Sequence, residues 1–273
     1  MFIMILAVLV ILMLAMKKSH GQDWQVHGFL AQGVINVNGS DFVNDDGKVS
    51  VELTEIGINT SFKYSDNLRF AGQAVYLDGG NRYADGVRID YLLADWSFFT
   101  NEKWQTNLYV GRFKNHHWLY LSTRDVPMTR PSIILPQSVY FDGTRDLSVG
   151  GDGAALTAKY FTEQWGDFDF NLSSGVSPIS SEQTGIIMGR NSNGDLDHEN
   201  DLQASIYWQP QFSDWRFGLA YTDADFVYEQ KGGRILYDGK IFLKRWYTNG
   251  EYQAQSWTFS FELLQENMII DGL

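Results

Sequence analysis

The stretch ELTEIGINTSFKYSDNLRFAGQAVYLD, Glu52 to Asp78, decides the fold. Its first half alternates: Thr54, Ile56, Ile58, Thr60, Phe62 and Tyr64 share one face, while Glu55, Gly57, Asn59, Ser61 and Lys63 share the other. Period-two alternation marks an extended strand whose two sides meet different surroundings. Ser65-Asp66-Asn67 then supplies a tight turn, because Ser, Asp and Asn side chains hydrogen-bond their own backbone and tolerate turn conformations. After the turn, Leu68, Phe70, Gly72, Ala74 and Tyr76 fall on one side and Arg69 and Gln73 on the other. The two segments read as an antiparallel hairpin with one apolar and one polar face.

The same pattern extends in both directions. Upstream, Trp24, Val26, Leu30 and Val34 alternate with Gln25 and His27. Downstream, Val87, Ile89, Tyr91 and Leu93 alternate with Arg88 and Asp90, and a phase shift is expected near Ala94-Asp95-Trp96, at a bulge. Further strands are read at Trp104–Lys114, Leu156–Thr162, Phe168–Val176, Leu202–Trp208, Trp215–Tyr221, Ile241–Tyr252 and Trp257–Leu264. Together they make about eleven strands long enough to cross a bilayer at a tilt. Short turns (Ser65–Asn67, Thr100–Lys103, Glu163–Asp167, Gln209–Asp214, Gln253–Ser256) alternate with long loops (Gly39–Val49, Gly79–Gly86, Asn115–Gly153, Ile179–Asp201, Asp223–Leu236). One end of the structure therefore carries turns and the other loops, which is the up-and-down barrel plan. Trp104, Trp215 and Trp257 each follow a turn, as residues of an interfacial aromatic girdle would.

The expected fold class is all-β: an antiparallel up-and-down transmembrane β-barrel forming one domain over residues 22–273. Aromatic residues make up 15% of the chain and there are only 5 Pro, a composition that suits long strands, which Pro interrupts. The absence of Cys rules out disulfide staples. The net charge of −12 and the lack of a basic patch argue against nucleic acid as a partner. Residues 1–21 read as a signal peptide. Phe2–Met16 is an apolar run too short for a comfortable span, and cleavage after Gly21 would follow Ser19-His20-Gly21. Lys17-Lys18 follow that run rather than precede it, which leaves an uncleaved anchor as the alternative.

The segment YVGRFKNHHWLYLSTRDVPMTRPSIILPQSVYFDGTR, Tyr109 to Arg145, is similar to the stretch of Gram-negative outer-membrane porins (general or phosphate-selective) where a strand leads into the third external loop. The similarity rests on Gly111-Arg112-Phe113-Lys114, Thr123-Arg124-Asp125-Val126-Pro127 and Arg130-Pro131. The resemblance implies a homotrimer in outer-membrane lipid, with about sixteen strands per barrel and the third loop folded inward. The chain ends Asn267-Met268-Ile269-Ile270-Asp271-Gly272-Leu273, without the aromatic last residue usual in that family, so it reads as incomplete at its C-terminus.

A pore selects by the charges at its narrowest point. Arg124, Asp125, Arg130, Asp142, Arg145 and Asp146 of the long loop are expected at a constriction. Glu55, Lys63, Arg69, Arg88, Asp90, Arg112 and Lys114 are expected to line the pore, since a mid-membrane Arg on the lipid face costs roughly 2–4 kcal/mol. His116 and His117 are adjacent and would point to opposite faces of a strand. Asp195, Asp197, Glu199 and Asp201 read as a solvated acidic loop. Motifs of nucleophilic, phosphate-binding and zinc chemistry are missing, so neither catalysis nor a cofactor is expected. The expected function is passive diffusion of small hydrophilic or anionic solutes. The alternatives are a secreted or periplasmic β-sandwich that stacks carbohydrate on its Trp and Tyr rings, and an outer-membrane enzyme with its site among the loops.

Overall fold

In the computed structural model, residues 24–44, 47–189, 192–232 and 236–272 are described, the Asp146 side chain excepted. The expected signal segment lies outside the described residues. In chain order the strands are β1 (Trp24–Gln32), β2 (Ile35–Asn36), β3 (Val49–Ser50), β4 (Thr54–Lys63), β5 (Leu68–Leu77), β6 (Gly86–Thr100), β7 (Trp104–Lys114), β8 (Gly150–Thr162), β9 (Gly166–Val176), β10 (Gly194–Gln209), β11 (Trp215–Gln230), β12 (Gly239–Gln253) and β13 (Thr258–Asp271). Eleven of them form one antiparallel sheet, ordered β1-β4-β5-β6-β7-β8-β9-β10-β11-β12-β13, while β2 and β3 pair as a small ribbon in the first long loop. Each sheet neighbour is the next long strand in sequence, so the sheet is up-and-down throughout. A β-sandwich needs a second broad sheet facing the first, and the described residues form only that ribbon beside the main sheet. Among the described residues no ladder joins β1 to β13, which stand as the two edges.

Register fixes the faces. Trp24 pairs with Phe62, and Phe62 with Phe70, so the apolar sides of β1, β4 and β5 coincide. On that outward face an aromatic row crosses the turn end of the sheet. Trp104 pairs with Tyr160, Tyr160 with Phe168, Phe168 with Trp208 and Trp208 with Phe217. Trp215–Tyr252–Phe259 continues it. Neighbouring rings are in contact; the Trp104 and Tyr160 centroids, for example, are 4.4 Å apart and those of Trp215 and Tyr252 4.9 Å. A second outward row is polar: Arg112 pairs with Asp152, and Asp223 with Lys244, which pairs in turn with Asn267.

The structure refines three readings of the sequence. β6 shifts phase twice: at Asp90, because Gln73 pairs with Tyr91 but Ala74 with Ile89, and close to the expected place at Phe98, because Ser97 pairs with Asn107 but Phe99 with Thr106. Tyr91 and Leu93 therefore leave the face of Val87 and Ile89 and join Arg69 and Gln73. The loops expected at Ile179–Asp201 and Asp223–Leu236 are shorter than expected, because β10 and β11 continue as a long hairpin from Gly194 to Gln230. Charged side chains end a membrane-type apolar pattern without ending a ladder. The remaining linker holds a helix, Ser181–Met188, whose Ser180 and Gln183 form a reciprocal capping box. The expected acidic loop is thus the upper part of β10, where Asp195 pairs with Lys231, Glu199 lies 3.5 Å from Lys240, and Asp201 is buried.

The core sits on the concave side. One cluster gathers Trp118, Leu121, Leu135, Tyr140 and Val149 from the loop between β7 and β8 with Ala220 and Tyr247 of the sheet. A second gathers Leu196, Ala224, Phe226, Tyr228, Ile241 and Leu243 on β10–β12.

Candidate functional site: the inward-folded loop

The loop after β7 turns back over the concave face and touches strands far apart in the sheet. Arg130 donates to Glu55 of β4 at 2.7 Å. Tyr120 donates to Glu251 of β12 at 2.9 Å, and Tyr140 to Glu262 of β13 at 2.6 Å. The backbone N–H of Leu119 also donates to Glu262, at 3.1 Å. One connection thereby joins strands near both edges, which can only happen if the sheet is curled around it.

Within the curl, charges alternate in a chain. Lys114, the last residue of β7, pairs with Asp90 at the β6 bulge and with Asp125 of the loop at 3.1 Å. Asp125 also pairs with Arg145. Arg124 pairs with Asp142 and donates to the Tyr140 carbonyl at 3.0 Å. Asp142 takes a second guanidinium, Arg82, at 3.0 Å. Alternation with Ile89 turns Asp90 inward, where Gln73 donates to it at 2.7 Å, and the bulge brings Tyr91 to the same side. Arg82, Arg88 and Arg145 lie within 5.1, 5.4 and 5.5 Å of the Tyr83 ring centroid, so three cations surround one aromatic face or edge. Among the described side chains, the cations Arg82, Lys114, Arg124, Arg130 and Arg145 outnumber Glu55, Asp90, Asp125 and Asp142 by one. Nearly all are buried, and buried charges persist only when paired. Beside the cluster a cleft of about 430 Å³ opens between β6, β8 and the loop, lined by Arg88, Asp90, Arg112, Asp125, Arg145 and Asp152 among others.

Of the residues expected at a constriction, Arg124, Asp125, Arg130, Asp142 and Arg145 are brought together; the Asp146 side chain lies outside the described residues. Of those expected to line the pore, Glu55, Asp90 and Lys114 belong to the same cluster. Arg69 faces inward nearer the turns, 2.7 Å from Asp95, and Lys63 ends β4 in an exposed pair with Asp66. Arg88 donates to the Ala84 carbonyl at 2.7 Å. Arg112 departs from the expectation. Its register puts it on the outward row with Val110 and Ala154, where it holds Asp152 at 2.6 and 2.7 Å. It reaches the cleft because the β6–β7 ladder stops at Leu92–Arg112 and the strands part above it, so Arg112 also donates to the Ile89 carbonyl at 3.3 Å.

Sequence reading missed Arg82, Tyr83, Tyr140 and Glu262. Each acts across a separation in sequence that no local pattern encodes. It named His117 but gave it no role, whereas the side chain is buried and its Nδ1 lies 2.9 Å from Gln203 Oε1. Burial pushes the His117 imidazole down to about 3, with the positive charge of Arg245 and His116 adding to the effect. Burial and the Glu262 carboxylate hold the Tyr140 phenol well above the usual tyrosine range.

No family model and no curated protein matches the sequence. Three solved structures of OmpT, an outer membrane protein of Vibrio cholerae, are similar to the chain. A loop L8 deletion mutant is 10% identical over 90% of this chain and 83% of that one, with a TM-score of 0.38. The outer-membrane expressed form is 8% identical over 92% and 79%, with a TM-score of 0.37. The in-vitro folded form is 8% identical over 92% and 79%, with a TM-score of 0.39.

Proposed function

We propose that the chain is a bacterial outer-membrane β-barrel protein whose inward-folded loop narrows a water-filled passage for small hydrophilic or anionic solutes. One observation carries this reading. In the two blocks β7–β8 and β11–β13 the aromatic and polar outward rows stand the same distance apart: positions 104 and 112, 152 and 160, 215 and 223, 244 and 252, and 259 and 267 bound them, eight apart. Eight residues rise about 26 Å along a strand, or roughly 20 Å across a layer at a tilt of about 40°, close to the ~25 Å apolar band of such barrels. Between the rows the outward residues are mainly apolar, among them Leu108, Val110, Leu156, Leu172, Ile206 and Leu219. Opposite them, Arg69, Asp95, Asn107, Lys159, Asp169 and Arg216 line the concave face. A water-soluble protein has no reason to hold a bare apolar belt between two fixed levels.

The slight cationic excess of the buried cluster supports the anionic part of the reading. Unpaired backbone in hydrocarbon costs several kcal/mol per group, so the membrane form needs its β1 and β13 edges paired. The test is planar-bilayer recording of detergent-folded protein. Discrete conductance steps are expected, and Asp125→Asn, which removes a carboxylate from the cluster, should shift the reversal potential toward anions. Folded protein that gives no steps, or that stays monodisperse without surfactant, would overturn the proposal.

A further inference from the structure

The seam between the inward-folded loop and the β4–β5 side of the sheet carries a surplus of positive charge. Glu55 reaches it from β4, Arg82 from the connection after β5, and Arg124, Asp125, Arg130, Asp142 and Arg145 from the loop after β7. Among the described side chains, four guanidiniums thus meet three carboxylates there, and none of the seven is more than 12% exposed. The carboxylates are all taken. Asp142 holds Arg82 and Arg124, Glu55 holds Arg130, and Asp125 holds Arg145 and is shared with Lys114. Donors are left over, because a guanidinium carries five N–H groups. Arg82 bonds through Nε and Nη1, and Arg124 and Arg130 each through Nη2 alone, so all three keep N–H groups with no acceptor among the described residues. Between these side chains lies a cavity of about 10 Å³. A single water-sized occupant needs roughly 10–15 Å³.

We propose that this cavity seats a single halide ion, held by Arg82, Arg124, Arg130 and Arg145. A water would fill the space and leave the surplus charge; a halide fills it and cancels the charge. Buried charges persist only when compensated, and guanidinium, more weakly hydrated than ammonium, is the cation best suited to a halide contact away from water. Phosphate, sulfate and carboxylates bring at least three heavy atoms each and do not fit. The seated ion bridges Arg82, outside the loop, to Arg124 and Arg130 within it, and so helps to hold the loop against β4 and β5. The inference rests on the cationic excess that supports the anionic reading above, but on neither conduction nor the membrane, since the burial of the side chains puts the seat behind the loop and not in the open passage.

Bromide is the probe, because its anomalous scattering locates it in a crystal. Protein folded in an uncharged detergent is unfolded with urea in sodium bromide and, at equal ionic strength, in sodium fluoride, whose anion holds its water too tightly for the seat. An ion that binds only the folded state raises the midpoint with its concentration, so the midpoint should climb with bromide and stay level with fluoride. Arg130→Gln and Glu55→Gln break the same ion pair, and a purely structural role would change the bromide response of both alike. The seat demands opposite changes. Arg130→Gln leaves three cations to three carboxylates and should lose the response. Glu55→Gln leaves four to two and should reach the same response at a bromide concentration at least about tenfold lower, since a unit charge about 6 Å away at an effective dielectric of about 20 is worth more than that factor. Circular dichroism checks that each variant is folded. Equal responses to bromide and fluoride, a map with no bromide among the four guanidiniums and water alone in the cavity, or two variants that shift the response in the same direction would each overturn the seat. Conductance steps without a bromide response would sink the seat and leave the passage standing; a bromide response in protein that conducts nothing would do the reverse.

Discussion

Asp142 shows what the buried charges contribute at the scale of a residue. It lies 5% exposed between Arg82 and Arg124, which are 5% and 4% exposed. Removing one partner from a buried ion pair costs about 3–5 kcal/mol because the charge left behind cannot be rehydrated. Asp142→Ala leaves two such guanidiniums, so we expect a loss at the upper end of that range, measured as the shift in the urea midpoint of the micelle-folded protein. The triple replacement Arg82→Met, Arg124→Met, Asp142→Leu should cost less than Asp142→Ala alone, since no charge is stranded. His117 makes a second residue-scale prediction. Its imidazole is held near 3 in the fold and titrates near 6.5 in the unfolded chain. The unfolded state therefore binds the extra proton first, and stability should fall as pH drops below about 6.5 and continue falling towards 3. His117→Asn should flatten that part of the stability-against-pH curve; an unchanged slope would show that other groups set it.

At the scale of an element, each strand separates two media, and substituting neighbouring positions tests this directly. On β9, Leu172 points outward and is exposed, while the next position back, Asn171, points inward. Leu172→Arg should cost about 2–4 kcal/mol in bilayers, as for Arg on a lipid face near the midplane, and Asn171→Arg close to zero. Equal costs would mean that both faces see the same surroundings. Such faces are legible in sequence because burial selects letters with period two: the hairpin Glu52–Asp78 is read correctly residue by residue, down to Arg69 and Gln73 opposite Phe70 and Ala74. The bulge at Asp90 is not legible in the same way. The extra residue there carries no distinguishing letter, and it reverses the faces of Tyr91 and Leu93. Arg112 misleads for a related reason: a charged residue on the outward side is acceptable where the apolar belt ends, and alternation alone does not show where that level lies. The apolar concave wall of β10–β12 also escapes, since Phe226, Ile241 and Leu243 look like outward residues until Leu147 and Ile187 are seen to cover them. The loop's charges were visible as candidates, but their partners were not, because Arg82 and Asp142 are 60 positions apart.

For the whole molecule, the loop between β7 and β8 acts as a strut across the curl. An isolated edge strand is the part of a sheet most prone to open, since it has a ladder on one side only. Here β13 pairs with β12 alone, and its side chains are mostly exposed. Glu262 ties it to the interior, accepting from Tyr140 at 2.6 Å and from the Leu119 N–H at 3.1 Å, beside a hydrogen bond between Ser260 and Tyr120. The Tyr140 hydroxyl also accepts from the Tyr120 N–H at 3.0 Å, so one phenol links the loop to itself and to the edge. Tyr140→Phe keeps the ring in its cluster with Trp118 and Leu121 and removes only that link. A hydrogen bond to a charged group is worth about 1.5–3 kcal/mol, so opening of β13 should become at least about tenfold more frequent. Hydrogen exchange by mass spectrometry should show faster exchange in peptides covering Thr258–Asp271 and their partners in β12. Peptides from β4 and β5, held to the loop through Glu55 and Arg130, should keep their rates. If instead every strand speeds up together, the sheet opens as one cooperative unit and the strut does not act locally; if β13 is unchanged, the ladder with β12 holds the edge without help from the loop.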